Sequence, residues 1–150
     1  DDAAAARTQR WVDEAVAAGA KVLVGGKADG TFFPPTVLTE APLSAQVCSN
    51  EAFAPLVVAF PFSDFGDAVR QVNDSAFGLQ CGVFTNDLAH AWHGFEELVV
   101  GGVIVNDIPT YRVDHMPYGG VKDSGMGREG LRYAIEDMTE QRILVLAWPQ

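Results

Sequence analysis

Short apolar runs alternate with longer stretches in which apolar residues recur every three or four positions, and these two periods predict different elements. Residues 2–18 combine acidic residues in the first turn with an alanine-rich body. Trp11 and Ala15, and Val12 and Val16, stand at i, i+4, and Gly19 supplies a stop, so the segment predicts a helix. Residues 21–24 and 36–39 predict short strands, the first closed by Gly25-Gly26 and the second following Pro34-Pro35. Leu56-Val57-Val58-Ala59-Phe60 is a continuous apolar run that predicts a strand covered on both faces. Ser63 is expected to cap a helix whose Phe65, Ala68, Val69 and Val72 share one face. Beyond a turn at Asn73-Asp74-Ser75, residues 82–85 predict a strand, Leu88, Trp92 and Phe95 mark a helix, and residues 102–106 predict another buried-type strand. Residues 107–127 are too polar and glycine-rich for a core element; 129–137 predict a short helix and 142–146 a final strand. Alternating helices and short apolar strands predict an α/β fold, a mostly parallel sheet with flanking helices. No repeat or linker divides the chain.

Composition narrows the function classes. The chain has 150 residues, 48% of them apolar, and 20 acidic against 10 basic side chains give a formal net charge of −10. That balance argues against nucleic acid or an anionic membrane as partner, since both need clustered Lys and Arg. Two cysteines, Cys48 and Cys81, make neither a disulfide framework nor a CxxC zinc or redox motif. With no apolar run of membrane-spanning length and no signal-type start, a cytoplasmic globular chain is expected. Its first residue is Asp1, not Met, as expected of an excised or truncated piece.

The irregular stretch 107–127 is where chemistry is expected, because loops on a rigid sheet tend to carry function. Its end and the residues after it, Gly125-Met126-Gly127-Arg128-Glu129-Gly130, match GxGxxG. A dinucleotide fingerprint needs a buried strand delivering the first glycine, and Tyr118 to Ser124 cannot be one, so the match is read as loop turns and close packing. His115 beside Asp114 suggests a base with its orienting carboxylate, yet adjacent side chains rarely point at each other. His90 and His93 lie three apart on a helix without a convincing further ligand, so no metal site is assigned. Cys81 reads as a core residue. Cys48 sits near Glu51, a carboxylate that raises a thiol pKa, and is not read as a nucleophile.

Three segments together carry a resemblance. Asn50-Glu51-Ala52-Phe53-Ala54-Pro55 resembles the E-E-x-F-G-P signature of the aldehyde dehydrogenases, with Asn50 in place of the first Glu and Ala54 in place of the Gly. Asn73-Asp74-Ser75-Ala76-Phe77-Gly78-Leu79, followed by Val83-Phe84-Thr85, is similar to that superfamily's N-x-x-x-[YF]-G-L…V-F-T stretch. Pro117-Tyr118-Gly119-Gly120-Val121-Lys122-Asp123-Ser124-Gly125-Met126-Gly127-Arg128-Glu129 resembles its P-[FY]-G-G-x-K-x-S-G-x-G-R-E segment. The resemblance implies oxidation of an aldehyde to a carboxylic acid: a cysteine thiolate attacks, hydride passes to NAD or NADP, and an activated water hydrolyses the thioester. It implies that nucleophile, general base and dinucleotide-binding half precede these segments, which makes residues 1–138 the distal part of the catalytic domain. No catalytic residue is therefore assigned, and the chain alone is expected to be inactive.

What the resemblance carries onto this chain is narrower. Glu51 matches the Glu whose carboxylate accepts hydrogen bonds from the nicotinamide ribose, and Phe53 the aromatic that packs near the nicotinamide. Tyr111, Arg112, His115 and Tyr118 occupy the loop resembling the substrate-entrance wall. Arg112 has two open readings: a cation for an aldehyde bearing a carboxylate, a phosphate or several hydroxyls, or a brace paired with Asp114 or Glu129. Residues 139–150 resemble the C-terminal strand that joins a neighbouring subunit's sheet, implying a homo-oligomer. Two alternatives are a non-catalytic interaction module that joins an active subunit, and a thiol enzyme built on Cys48 and His115.

Overall fold

Helix α1 (Asp2–Ala17) opens the first of two units, Asp1–Ser63, in a computed structural model that describes residues 1–148. The Asp1 carboxylate caps it, accepting from the Ala4 amide at 2.8 Å. Its buried face is Ala5, Thr8, Val12 and Ala15, the i, i+3, i+4, i+7 spacing of an amphipathic helix. Strands β1 (Lys21–Val24), β2 (Thr36–Thr39) and β3 (Leu56–Ala59) form one sheet in that order, β1 antiparallel and β3 parallel to β2. The short helix α2 (Gln46–Ser49) lies on the connection between β2 and β3. Leu38 and Val12 are the largest fully buried side chains, and Phe33, Ala41 and Val47 pack into the same core.

The run 56–60 differs from expectation. Leu56 and Val58 pack on the core, but Val57 is 59% exposed, so the strand is covered on one face only. A continuous apolar run states that both faces tolerate burial; whether a layer lies over each is settled by packing.

The second unit begins at Asp64. Asp64, rather than the expected Ser63, caps α3 (Phe65–Asn73), accepting from the Asp67 amide at 2.8 Å. Strand β4 (Phe77–Gly78) is followed by β5 (Gln80–Val83), α4 (Leu88–Glu97) and β6 (Gly102–Val105), and β5 and β6 pair in parallel across the helix. Strand β7 (Val121–Lys122) pairs antiparallel with β4, and α5 (Leu131–Met138) follows. Val69, Val83 and Leu98 form this unit's core. The class is α/β, with two parallel and two antiparallel pairings spread over three small sheets among the described residues.

Two apolar patterns of this unit are less buried than their sequence predicts. The β6 residues Gly102 to Ile104 are half-buried and Val105 is exposed. On α4, Leu88, Trp92 and Phe95 face outward, and the helix approaches the sheet through the buried Gly94, which lies against Val83. Gly101 marks the closest backbone approach: a Cβ there would stand 1.7 Å from the Gly119 carbonyl oxygen, so only glycine admits the 119–120 loop.

The tail also departs from expectation. Residues 139–148 form no strand, and Ile143, Leu144, Val145 and Leu146 are all at least 76% exposed. A strand exists only through hydrogen bonds to a partner, and the single chain offers this segment none among the described residues. The last two residues of the expected tail strand lie outside the described residues. Leu38→Ala is expected to destabilise the first unit by about 3 kcal/mol, as a cavity in a fully buried site does. Denaturant unfolding would show this as a lower midpoint with an unchanged slope.

Candidate functional site

The first candidate site is the turn that connects α2 to β3. The Asn50 amide donates back to the Gln46 carbonyl at 3.1 Å, ending α2, and the Pro55 carbonyl accepts from the Thr36 amide at 2.8 Å, starting β3. Between these anchors residues 51–55 belong to no helix or strand. Glu51 is exposed and takes part in none of the ion pairs among the described residues. Phe53 is 82% exposed with φ +43, a left-handed conformation that costs a bulky residue energy. Phe53, Ala54 and Pro55 line one side of an open cleft of about 300 Å³, and Ala4, Ala5 and Thr8 of α1 line another.

The carbonyl of Ala52, between Glu51 and Phe53, accepts a hydrogen bond from Arg7 Nη2 at 3.0 Å. Sequence reasoning missed Arg7. The only signal was its i, i+4 relation to Trp11, over whose ring the guanidinium lies at 5.6 Å. Cys48, just before the turn, packs against the core, and burial pushes its thiol above the ordinary value. The direction matches expectation but the cause differs: desolvation raises it, not Glu51. Burial likewise pushes up Cys81, which packs against the core of the second unit.

The second unit holds the other four candidates. Arg112 Nη2 donates to Glu129 Oε2 at 2.9 Å, and its guanidinium lies 4.8 Å from the centre of the Tyr118 ring. Tyr118 and Glu129 exchange backbone hydrogen bonds of 3.1 and 2.6 Å. Three residues far apart in sequence are thereby tied into one brace, with Glu129 rather than Asp114 as the partner of Arg112. The pair remains half exposed, its side chains 50% and 64% accessible, so solvent screens it. Tyr111 is exposed while its carbonyl accepts from Gln80, and His115 is exposed and forms no ion pair with Asp114.

Neighbouring loop residues serve the backbone. Lys122 Nζ donates to the carbonyls of Asn73 and Ser75 at 2.8 and 2.9 Å, and Arg128 Nη1 to those of Gly120 and Gly127 at 3.0 and 2.7 Å. Gly125, Gly127 and Gly130 all have positive φ. This part of the GxGxxG match therefore turns the chain, and the strand before it, β7, is two residues long. His90 and His93 pack on Phe65, with ring centroids 4.6 and 5.8 Å away. Glu51 and Phe53 thus share one exposed turn of the first unit, and Arg112 and Tyr118 one brace of the second.

A family model described as the aldehyde dehydrogenase family matches residues 1–144. The chain belongs to the aldehyde dehydrogenase family. It is 54% identical over 142 residues to a 3-sulfolactaldehyde dehydrogenase of Priestia aryabhattai, a match covering 95% of this chain and 30% of that relative. A sulfoacetaldehyde dehydrogenase of Neptuniibacter caesariensis is 37% identical over 143 residues, with 95% and 31% covered. Among solved aldehyde dehydrogenases, the glyceraldehyde-3-phosphate dehydrogenase of Methanocaldococcus jannaschii, crystallised with NADP, superposes with a TM-score of 0.85 at 37% identity. That superposition covers 92% of this chain and 30% of that one. A betaine aldehyde dehydrogenase variant from Staphylococcus aureus, in complex with NAD+, gives 0.84 at 33%, with 91% and 29% covered. The chain therefore spans about 30% of the length of the aldehyde dehydrogenases it matches.

Within this family segment, the half-buried Cys48 thiol is expected to alkylate slowly at neutral pH. Its rate should rise with a midpoint above that of a free thiol. Iodoacetamide kinetics across pH would check this, and a midpoint near neutrality would restore Cys48 as a nucleophile.

Proposed function

We propose that this chain forms part of an NAD(P)-dependent aldehyde dehydrogenase, which oxidises an aldehyde to a carboxylic acid, and contributes one edge of its active site. The observation that carries the proposal is the exposed Glu51–Phe53 turn within a segment that matches the family from residue 1 to 144. The donor set suits a dinucleotide. A carboxylate free of ion pairs among the described residues can accept from both hydroxyls of a ribose, and an exposed ring beside it can pack on a flat heterocycle. Bound NAD or NADP supplies the hydride acceptor.

Covalent attack needs a thiolate, and burial pushes both thiols here up, which disfavours that form. The nucleophile and general base are accordingly assigned to residues outside these 150, and the chain by itself does not oxidise aldehydes. Both cysteines of the chain are free thiols, which supports a reducing, cytoplasmic setting.

For substrate we propose a short polar aldehyde, since relatives named for 3-sulfolactaldehyde, sulfoacetaldehyde and lactaldehyde all resemble this chain. Tyr111, Arg112, His115 and Tyr118 form the wall that meets it. Arg112 uses one N–H on Glu129 and remains half exposed, which leaves donors for a sulfonate or carboxylate. The exposed apolar tail, Ile143 to Leu146, supports addition to a second subunit's sheet in a homo-oligomer.

Two measurements check the proposal. The chain alone, given NAD+ or NADP+ and these aldehydes, should produce no reduced nucleotide; turnover abolished by Cys48→Ala would overturn it. In the enzyme carrying this segment with its dinucleotide-binding half, Glu51→Gln should weaken nucleotide binding about tenfold, the loss of charge-assisted hydrogen bonds. Unchanged affinity would remove Glu51 from the site.

A further inference from the structure

We infer that Arg7 is the positioning residue of the Glu51–Phe53 turn, setting the peptide from which Phe53 projects and thereby the affinity of the site for the dinucleotide. The inference rests on the proposal that Glu51 and Phe53 meet the cofactor.

The turn has little else to hold it. Glu51, Phe53 and Pro55 are exposed, and the cleft beside Phe53, Ala54 and Pro55 leaves that side without close packing. Among the described residues, the bond from Arg7 Nη2 to the Ala52 carbonyl is the only hydrogen bond joining residues 51–54 to a distant part of the chain. The flanking anchors, Asn50 on Gln46 and Pro55 on Thr36, lie outside that span.

The atom that Arg7 holds matters more than the bond's strength. The Ala52 carbonyl and the Phe53 amide nitrogen belong to one rigid peptide plane. Fixing the carbonyl fixes the plane, and the φ of Phe53 is the rotation of its Cα relative to that plane. At +43° this φ lies in the left-handed region, which is costly for a bulky residue. A charged donor on the preceding carbonyl supplies support and holds Glu51 and Phe53, on either side of Ala52, in one relative arrangement.

Arg7 is itself fixed. Its guanidinium lies 5.6 Å from the centre of the Trp11 ring one helical turn on, and Trp11 packs against the core of the first unit. Its Nε is buried with no hydrogen-bond partner among the described residues. An arginine kept in place at the cost of an unpaired donor, and forming no ion pair among the described residues, is not there to neutralise a carboxylate. Its structural output is the bond to Ala52.

The test uses the enzyme carrying this segment with its dinucleotide-binding half, and reads NAD+ and NADP+ binding by equilibrium titration of protein fluorescence, alongside Tm and the KM for aldehyde. Arg7→Met is expected to weaken binding of the preferred nucleotide about tenfold while the aldehyde KM stays unchanged. Arg7→Lys, which keeps a charged donor within reach of the carbonyl, should recover most of the loss. A purely structural role would lower Tm in Arg7→Met and leave nucleotide affinity at the wild-type value, and that result overturns the inference. If Arg7→Met does not fold, Arg7→Ala, which also lacks a donor, takes its place, and an affinity equal to wild type would again overturn the inference. Glu51→Gln, measured in parallel, separates the two claims. Weaker binding in Glu51→Gln with none lost in the Arg7 variants sinks the role of Arg7 alone. Weaker binding in Arg7→Met with none lost in Glu51→Gln sustains Arg7 acting through Phe53 and removes the ribose assignment of Glu51.

Discussion

Parallel pairing is the constraint on which both units depend. Two parallel strands cannot be joined by a tight turn, because the chain must return to the end from which it started. The pairing of β2 with β3, Thr36 opposite Leu56, therefore forces residues 40–55 into a crossover. Its last segment, entering β3, is the exposed turn that carries Glu51 and Phe53. In the second unit, β5 and β6 pair with Gln80 opposite Gly102, and α4 is the crossover that this pairing requires. Candidate chemistry in the first unit thus sits where topology obliges the chain to leave the sheet.

The two candidate regions are held by different means. The Glu51–Phe53 turn is reached by a single side chain from α1 acting on a main-chain carbonyl. The loop of the second unit is cross-braced: Arg112 on Glu129 and Tyr118, Lys122 on two carbonyls at the end of α3 and just beyond it, Arg128 on two loop carbonyls, and Gly101 admitting Gly119 at close range. Each exposed ion pair contributes little by itself, typically about 0–1 kcal/mol. Bonds to backbone carbonyls do more here, since they satisfy acceptors that a loop without regular structure would leave to solvent.

Much of the fold was legible because its signals are local. Helix α1, the strands at 36–39 and 56–59, and the turn after Asn73 each follow from periodicity or turn chemistry within a few residues. The cap of α3 fell on Asp64 instead of Ser63, a one-residue choice between two good capping side chains. Burial was the weaker inference. Val57, Leu88, Trp92 and Phe95 are apolar at the right spacing and yet exposed, since spacing states which face an element would bury and not what lies against it. The tail shows the same limit, for residues 142–146 have strand composition but no strand beside them in the single chain.

By itself the sequence determined the α/β class, the family, and the identity of the residues on the candidate turn and loop, because motif order, spacing and periodicity are written along the chain. Only the tertiary structure decided which of them bear on one another. It paired Arg112 with Glu129, brought Arg7 to the Ala52 carbonyl, set Phe53 at positive φ, and made burial the cause of the raised Cys48 pKa. Each of these is a contact or an environment between residues distant along the chain, and the physical terms that fix them, hydrogen-bond geometry and desolvation, act through space.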